Sequence, residues 1–578
     1  MTFLFLMLCP LFFRSCTVEA SNVPRFLLVV IFCFTFFIKW ISQRRVIYLP
    51  PVYLFTLLGG YYLLNILSVC WSLNSADAIY ESQKIFLVPC LLVIFLNWLQ
   101  TKEEDYLLVK SLIAITFIYC IYAFVEIVHL PDFKFESLYG VNSFAEHKNL
   151  LASFLFLLLA FPLYGLIYFK TLWRFVSGFV LILNFLLLLF LQTRSVYLAL
   201  TFTGLIFFIC SWKVKFDRRK LISGLAAFVI LFGLLFVFYP TLLQRFNVFS
   251  YSTSASGNER LKIWSKTFYL IKENTLQGVG AGNWQYNFSK FGIGDIINIS
   301  QNEISFQRPH NDLLWIISES GLIGFAFIIL IIIFVFAKSY PAIKSGNYKG
   351  LIFFSFLSGL LVESFFSFPK ERITHIVLAS VMFALLIKNL DLTIKLPQKS
   401  SAKLLVIVLL ILTFSSVIGL YRLKGEYFTV LLLQEKEKNN MEGVIGNGTK
   451  AISVFYKCDP TSTPIYSYMG WAYNALHEKD SLLYVSKEAY NLSPYDYEVL
   501  SNYGSALERT GNREEAREIL KECLRINPLY EPALINSAVL EYNSRNYRQA
   551  IDYLKLILDY EIKYKTYFDE INSKLQSN

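Results

Sequence analysis

The sequence predicts an all-α, polytopic membrane protein of about thirteen transmembrane helices, with a long extracytoplasmic loop at 240–312 and a C-terminal helical-repeat domain. Three observations carry that expectation. First, 55% of the 578 residues are hydrophobic, only 16% are charged and 54 are Phe. With a mean hydropathy of +0.49, this balance is too apolar for an ordinary water-soluble chain. Second, the apolar runs stop near Leu433 and the remainder turns polar. Third, Pro460, Pro494 and Pro528 recur at intervals of 34 residues. The chain therefore divides into a membrane part (1–433), a linker (434–459) and a repeat part (460–578).

Crossing a hydrocarbon core about 30 Å thick takes about 20 mostly apolar residues. Such runs lie near 2–19, 26–42, 50–70, 85–99, 106–128, 149–169, 174–191, 196–212, 221–239, 313–336, 350–367, 373–388 and 404–422. The first reads either as a short span or as a secretory signal: the apolar stretch ends near Ala20, but Arg14 interrupts it and no basic residue precedes it. Arg44-Arg45, Lys170 with Arg174, the cluster from Lys213 to Lys220, then Lys338 to Lys349 and Lys388 to Lys403 all fall on one side of this arrangement. By the positive-inside rule that side is cytoplasmic. The loops at 129–148 and 240–312 and the tail after Tyr421 then lie outside the cytoplasm, as expected of a multi-pass protein of the inner (cytoplasmic) membrane.

The net charge of +11 does not point to nucleic acid, because the basic residues are scattered over short loops and membrane topology accounts for most of them. The nine cysteines show no metal or redox spacing. The long loop is the exception to the charge pattern, holding Arg245, Arg260, Lys262, Lys266, Lys272, Lys290 and Arg308 on the side that should be poor in cations. Either a loop of this length escapes the rule, or some of these cations face an anionic ligand at the outer membrane surface, for which a diphosphate is suited.

Ionisable groups at the mouth of a span are costly and therefore candidates for function. Arg308-Pro309-His310-Asn311-Asp312 stands at such a mouth, followed by Glu319-Ser320-Gly321-Leu322-Ile323-Gly324 and a long apolar run. Arg194, in Gln192-Thr193-Arg194-Ser195, sits between two apolar runs, where a guanidinium either snorkels to the headgroups or binds an anion. Glu146-His147-Lys148-Asn149 opens another span on the same side, as a plain cap or as part of a site. Glu363 and the run Pro369-Lys370-Glu371-Arg372 fall at the next turn on that side, lining the same cavity or stabilising the hairpin. In the long loop, Leu261, Trp264, Phe268 and Ile271 recur at helical spacing, as in a helix lying on a bilayer surface. Gly278-Val279-Gly280-Ala281-Gly282 lacks the Gly-Lys-Ser/Thr of a nucleotide loop and reads as a tight turn.

The tail keeps its 34-residue register beyond the prolines. Gly470, Gly504 and Ala538 share one position, Ala516 and Ala550 another, and Asn512-Arg513-Glu514-Glu515-Ala516 aligns with Asn546-Tyr547-Arg548-Gln549-Ala550. Small residues are needed where paired helices cross closely, and the period and register resemble tetratricopeptide repeats. Such arrays bind peptides or proteins on a concave face.

His310-Asn311 followed by Gly321 and Gly324, with His147-Lys148-Asn149, Thr193-Arg194-Ser195, Arg260 with Trp264 and the Gly278-Val279-Gly280 turn in that order, resembles the O-antigen ligase superfamily over roughly residues 50 to 390. That superfamily includes O-antigen polymerases and bacterial O-oligosaccharyltransferases. The resemblance implies a metal-independent, cofactor-free glycosyltransferase whose donor is a glycan on undecaprenyl diphosphate. It implies that Arg194 and Arg260 hold the diphosphate, with Arg308 added from its position. His310 would activate or position the acceptor hydroxyl, with His147, Asn149, Asn311, Asp312 and Glu319 as auxiliary residues. Asp312 and Glu319 either orient His310 or cap the following span. Expected partners are the lipid-linked donor, membrane lipids, a lipid A core or protein acceptor, and a protein held by the repeats. The appended repeats favour a bulky acceptor. A polysaccharide polymerase is the nearest rival, and a transporter or envelope-assembly scaffold is the alternative of another class.

The topology has a direct test. A reporter fused after Leu433 should read out as extracytoplasmic, and a cytoplasmic readout contradicts the assignment of the spans.

Overall fold

Inside a bilayer every backbone N–H and C=O must be paired within its own segment, so a long apolar run has little alternative to a helix. The computed structural model describes residues 5, 9–11, 17–19, 21–43, 46–130, 137–145, 147–213, 255–296, 307–344 and 346–577. Helices of two turns or more run in the order α1 Asn22–Ser42, α2 Val52–Leu67, α3 Ser75–Trp98, α4 Lys102–Val128, α5 Lys148–Leu158, α6 Ala160–Tyr168, α7 Thr171–Leu191, α8 Arg194–Lys213, α9 Ala255–Glu273, α10 Asp312–Lys344, α11 Tyr348–Ser364, α12 Ile373–Asn389 and α13 Gln398–Glu437. The polar part adds α14 Met441–Ala451, α15 Ile465–Ala475, α16 Lys479–Leu492, α17 Tyr497–Arg509, α18 Arg513–Ile526, α19 Glu531–Asn543, α20 Tyr547–Lys555 and α21 Lys565–Ser577. Nine spans among the described residues are long and apolar enough to cross a membrane, and the protein is a multi-pass membrane protein. The expected span at 221–239 and most of that at 2–19 lie outside the described residues.

Two spans differ from the hydropathy reading. α3 starts ten residues before the apolar run at 85, because Asn74 caps it by accepting from the N–H groups of Ala76 and Asp77. Its first turns bury Asp77, Ser82, Gln83 and Lys84, polar residues that hide the helix from a hydropathy window. α13 has 40 residues, about 60 Å at 1.5 Å per residue and so about twice the hydrocarbon thickness. Its far end leaves the bundle and packs on α14, and α14 packs on α15. Leu432, Val444, Tyr456, Ile465 and Ala472 form one small core there, so the stretch between bundle and repeats is ordered.

One end of the bundle is closed by a short antiparallel ribbon, β1 Ile47–Leu49 against β2 Ile394–Leu396. Asn97 holds it by accepting from Tyr48 N–H at 2.8 Å and donating to the Tyr48 carbonyl at 2.7 Å. The opposite end, the loop face, carries residues 255–296 and 307–312 and the repeats. In the repeats, α15/α16, α17/α18 and α19/α20 pair in sequence. A Cβ on Gly504 would lie 2.7 Å from Leu520, and Ala516, Ala538 and Ala550 are fully buried, as the small-residue register requires. The array also docks on the loop face: Ile293 N–H donates to the Ile526 carbonyl at 2.8 Å, and Arg525 donates to the Lys290 carbonyl at 2.9 Å.

The centre of the loop face is a broken helix. At Gly321 (φ 62, ψ −169) α10 loses helical geometry, which orphans backbone groups on both sides of the break. The turn after α9 supplies their partners. Leu322 N–H donates to Thr275 O at 2.8 Å and Ile323 N–H to Leu276 O at 3.3 Å, while Val279 N–H reaches Ser318 O and Gly280 N–H reaches Glu319 O, both at 2.9 Å. The approach leaves no room for side chains: a Cβ on Gly321 would lie 2.1 Å from Leu276 O, and one on Gly278 2.3 Å from Glu319 O. The glycine-rich stretch is thus a clamp on the break, with N–H groups of Val279 and Gly280 used by carbonyls.

Gly321→Ala should therefore lower the thermal midpoint in detergent, by about 1–3 kcal/mol of backbone strain plus the steric overlap. Gly59→Ala, where a Cβ meets nothing within 4 Å, should change little. Equal midpoints for the two variants contradict the clamp.

Candidate functional site

α9 is amphipathic and turns Ile263, Thr267 and Leu270 inward, where Thr267 accepts from Trp284 Nε1 at 3.1 Å. The helix packs against α10, and Trp264 Nε1–H donates to the Pro309 carbonyl at 2.7 Å. That bond ties α9 to the residue before His310. Arg260, one turn earlier, is half-buried and donates to the Phe366 carbonyl at 3.1 Å.

His310 is held in the left-handed region (φ 53), a conformation non-glycine residues adopt sparingly and usually for a reason. Its half-buried ring meets the Phe368 ring edge to face at 5.0 Å. Burial lowers its pKa well below the usual value near 6.5, and the charges of Arg260 and Arg308, with His147, lower it further. The shift favours the neutral imidazole. That coupling also places His147, Arg260 and Arg308 within electrostatic reach of His310.

His147 caps α5, its Nδ1 accepting from Asn149 N–H at 3.1 Å. Burial and the charges of Lys148 and Arg372 lower its pKa as well, so it is a neutral ring with its proton on Nε2. Asn149 Oδ1 in turn accepts from Thr193 Oγ1 at 3.2 Å, which sets the turn between α7 and α8 beside α5. Arg194 opens α8 from that turn, half-buried. Among the described residues no carboxylate pairs with Arg194 or Arg260.

The remaining expected residues have visible structural partners. Arg308 pairs with Glu371, and its guanidinium lies over the Phe368 ring at 4.7 Å. Asn311 caps α10, accepting from Leu314 N–H at 3.0 Å. Asp312 accepts from Lys370 N–H at 3.1 Å, and Glu319 accepts from Trp284 N–H at 3.3 Å and pairs with Lys370 Nζ at 3.5 Å. Of the two roles open to Asp312 and Glu319, these contacts serve the Lys370 side of the loop. Lys370 lies over the Trp315 ring at 3.6 Å. Burial alone would lower its pKa, but Glu319, Tyr61 and Asp312 raise it above the usual value.

The sequence reads the hairpin between α11 and α12 as lining the same cavity or stabilising itself, and in the structure it is the hub. Phe366 takes Arg260, Phe368 covers both Arg308 and His310, and Glu371 takes Arg308. Arg372 pairs with Glu19 at 3.0 Å. The signal was four consecutive residues, Pro369-Lys370-Glu371-Arg372, with three charges between two apolar runs.

Residues 179–329, which contain Arg194, Arg260, Arg308, His310 and the Gly321 break, match the O-antigen ligase family. That stretch of the chain is similar to an O-antigen ligase. Residues 497–528, the pair α17/α18, match a tetratricopeptide repeat. The chain is also similar to the TPR repeat-containing protein YpiA of Bacillus subtilis (strain 168), with 23% identity over 137 residues, covering 23% of this chain and 32% of that protein. It thus spans about a third of that relative's length. The O-antigen ligase match points to glycan transfer or polymerisation in general, and tetratricopeptide repeats are suited to protein interactions.

Lys370→Met should leave Asp312 and Glu319 without their cation and lower stability by roughly 3 kcal/mol. Thermal unfolding of the purified protein measures this, and an unchanged midpoint contradicts a structural role for the ion group.

Proposed function

We propose that this protein transfers a glycan from undecaprenyl diphosphate to a hydroxyl acceptor on the extracytoplasmic side of the inner membrane. What supports the reading is a histidine held in the left-handed region, its pKa lowered by burial and by the charges of Arg260 and Arg308, beside an Arg260 that no carboxylate among the described residues pairs with, within the segment that matches the O-antigen ligase family. Arg194 and Arg260 hold the diphosphate. Arg308, already paired with Glu371, adds charge from behind. The basic residues at the ribbon end of the bundle, such as Lys388 and Lys395, support a cytoplasmic position for that end and a periplasmic one for the loop face.

The chemistry follows from the charges. As the acceptor oxygen bonds to the anomeric carbon, the bond from that carbon to the diphosphate breaks and its electron pair leaves with undecaprenyl diphosphate. Negative charge grows on the leaving group, so guanidinium donors stabilise the transition state more than the bound donor. His310 takes the acceptor proton. In the free protein burial, and after it the charges of Arg260 and Arg308, make His310 a weak base, because both penalise its protonated form. A bound diphosphate offsets that field and raises the imidazole pKa. The base is thereby strengthened only when donor is present, which limits reaction of the site in its absence.

Two measurements test this. His310→Ala should reduce transfer about 10²- to 10⁴-fold and Arg260→Ala about 10²- to 10³-fold, with insertion and thermal midpoint retained; normal transfer by both contradicts the reading. In the pH profiles, the acid limb of kcat/KM reports free enzyme and that of kcat the donor complex. The kcat limb should lie at higher pH, and coincident limbs contradict donor-strengthened basicity.

A further inference from the structure

The chain that follows α9 is held from two sides. Beyond Trp284, which stacks on Phe288 at 4.4 Å and donates to Thr267 on α9, residues 288–296 form a strap. α9 grips one edge of it. Lys266 pairs with Asp295 at 2.9 Å and Lys290 with Glu273 at 2.5 Å, while Lys262 donates to the Asp295 carbonyl. Three of the loop cations that the sequence offers to an anionic ligand are therefore engaged in holding the strap.

The repeats grip the other edge, through the turn that follows α18. Ile293 N–H donates to the Ile526 carbonyl and Arg525 to the Lys290 carbonyl, and Lys290 lies over the Tyr495 ring at 5.8 Å. Gly292 takes φ 78, and a Cβ on Gly294 would lie 2.7 Å from Pro528 Cδ. The strap backbone thus rests directly on one of the prolines that mark the 34-residue period. Beneath it, Ile263 and Leu270 of α9, Trp284 and Ile293 of the loop, and Leu520 and Ile526 of α18 belong to one buried apolar core. A densely packed core transmits displacement, so the strap cannot leave the repeats without disturbing α9.

α9 is the helix that carries Arg260, two residues before Lys262, and Trp264, which reaches the Pro309 carbonyl. We infer that the second helix pair of the repeats is a positioning element of the glycan-transfer site: Ile526 and Pro528 seat the strap, the strap seats α9, and α9 places Arg260. This rests on the reading of Arg260 as a diphosphate-binding residue. It gives the repeats a task besides protein capture, because the turn after α18 is taken by the chain's own loop.

The test uses the full-length protein in nanodiscs, with undecaprenyl diphosphate as the binding probe and hydrogen–deuterium exchange as the probe of structure. Gly294→Val pushes the strap off Pro528, and Arg525→Met removes the bond to Lys290 while keeping the aliphatic stem. Both should speed exchange in peptides covering 255–273 and 288–296 and leave α15 and α16 as they are. Gly294→Val should weaken lipid binding about tenfold and lower kcat/KM for the donor by about 10²-fold, as a misplacement of about 1 Å can. Arg525→Met should shift both in the same direction by a smaller factor, and it carries the test alone if Gly294→Val does not fold. In an Arg260→Ala background either variant should weaken lipid binding no further, whereas a general loosening adds its loss to that of Arg260. A loosened strap with lipid binding unchanged, additive losses, or exchange in α9 that ignores the strap overturns the positioning role. A parent chain that binds no undecaprenyl diphosphate, while exchange in α9 still follows the strap, instead contradicts the transfer reading and leaves the link between repeats and α9 standing.

Discussion

A broken helix must find partners for the backbone groups that the break exposes, and much of the loop face follows from how that is done at Gly321. The exposed groups on both sides of the break are paired by the turn at 275–280, which fixes where α9 ends. With its end fixed, α9 carries Trp264 to the Pro309 carbonyl and Arg260 to the Phe366 carbonyl. The same break aims Glu319 at Trp284 and Lys370. Two glycines without room for a Cβ thus set the relation between an arginine, a histidine and the hairpin that supports both.

The second constraint is electrostatic. The loop face gathers many cations, and most are committed: Arg308 to Glu371, Lys370 to Glu319, Arg372 to Glu19 and Arg422 to Asp77. Partly buried cations need such partners or a ligand. Arg194 and Arg260 stand apart, lacking a carboxylate among the described residues, and they belong to the matched O-antigen ligase segment. The paired cations build the loop face, and Arg194 and Arg260 are the ones we propose to meet an anion.

Much of this was legible in the sequence because membranes and repeats impose simple periods. Apolar length marks the spans, and the 34-residue register extends in the structure to the left-handed turn residues His477, Gly511 and Arg545, which the sequence reading did not single out. Hydropathy failed where a span buries polar residues, as at Asp77 to Lys84, and where a helix runs on past the bilayer, as α13 does to Glu437. The candidate residues stood out as charges at span mouths. Their partners did not, because pairs such as Arg308 with Glu371 or Asn74 with Asn283 join residues far apart in the chain. Nor does any local pattern announce that Ile526 meets Ile293 and docks the repeats on the loop.

We propose that the lipid diphosphate sits between Arg194 and Arg260 with His310 facing the bond that breaks. An electron cryo-microscopy structure of the full-length protein with a non-transferable undecaprenyl-diphosphate glycan tests it most directly. Diphosphate density within hydrogen-bond distance of both guanidinium groups, with the anomeric carbon toward His310, is the predicted result. Diphosphate held elsewhere, with Arg194 and Arg260 in contact with neither phosphate, contradicts the account.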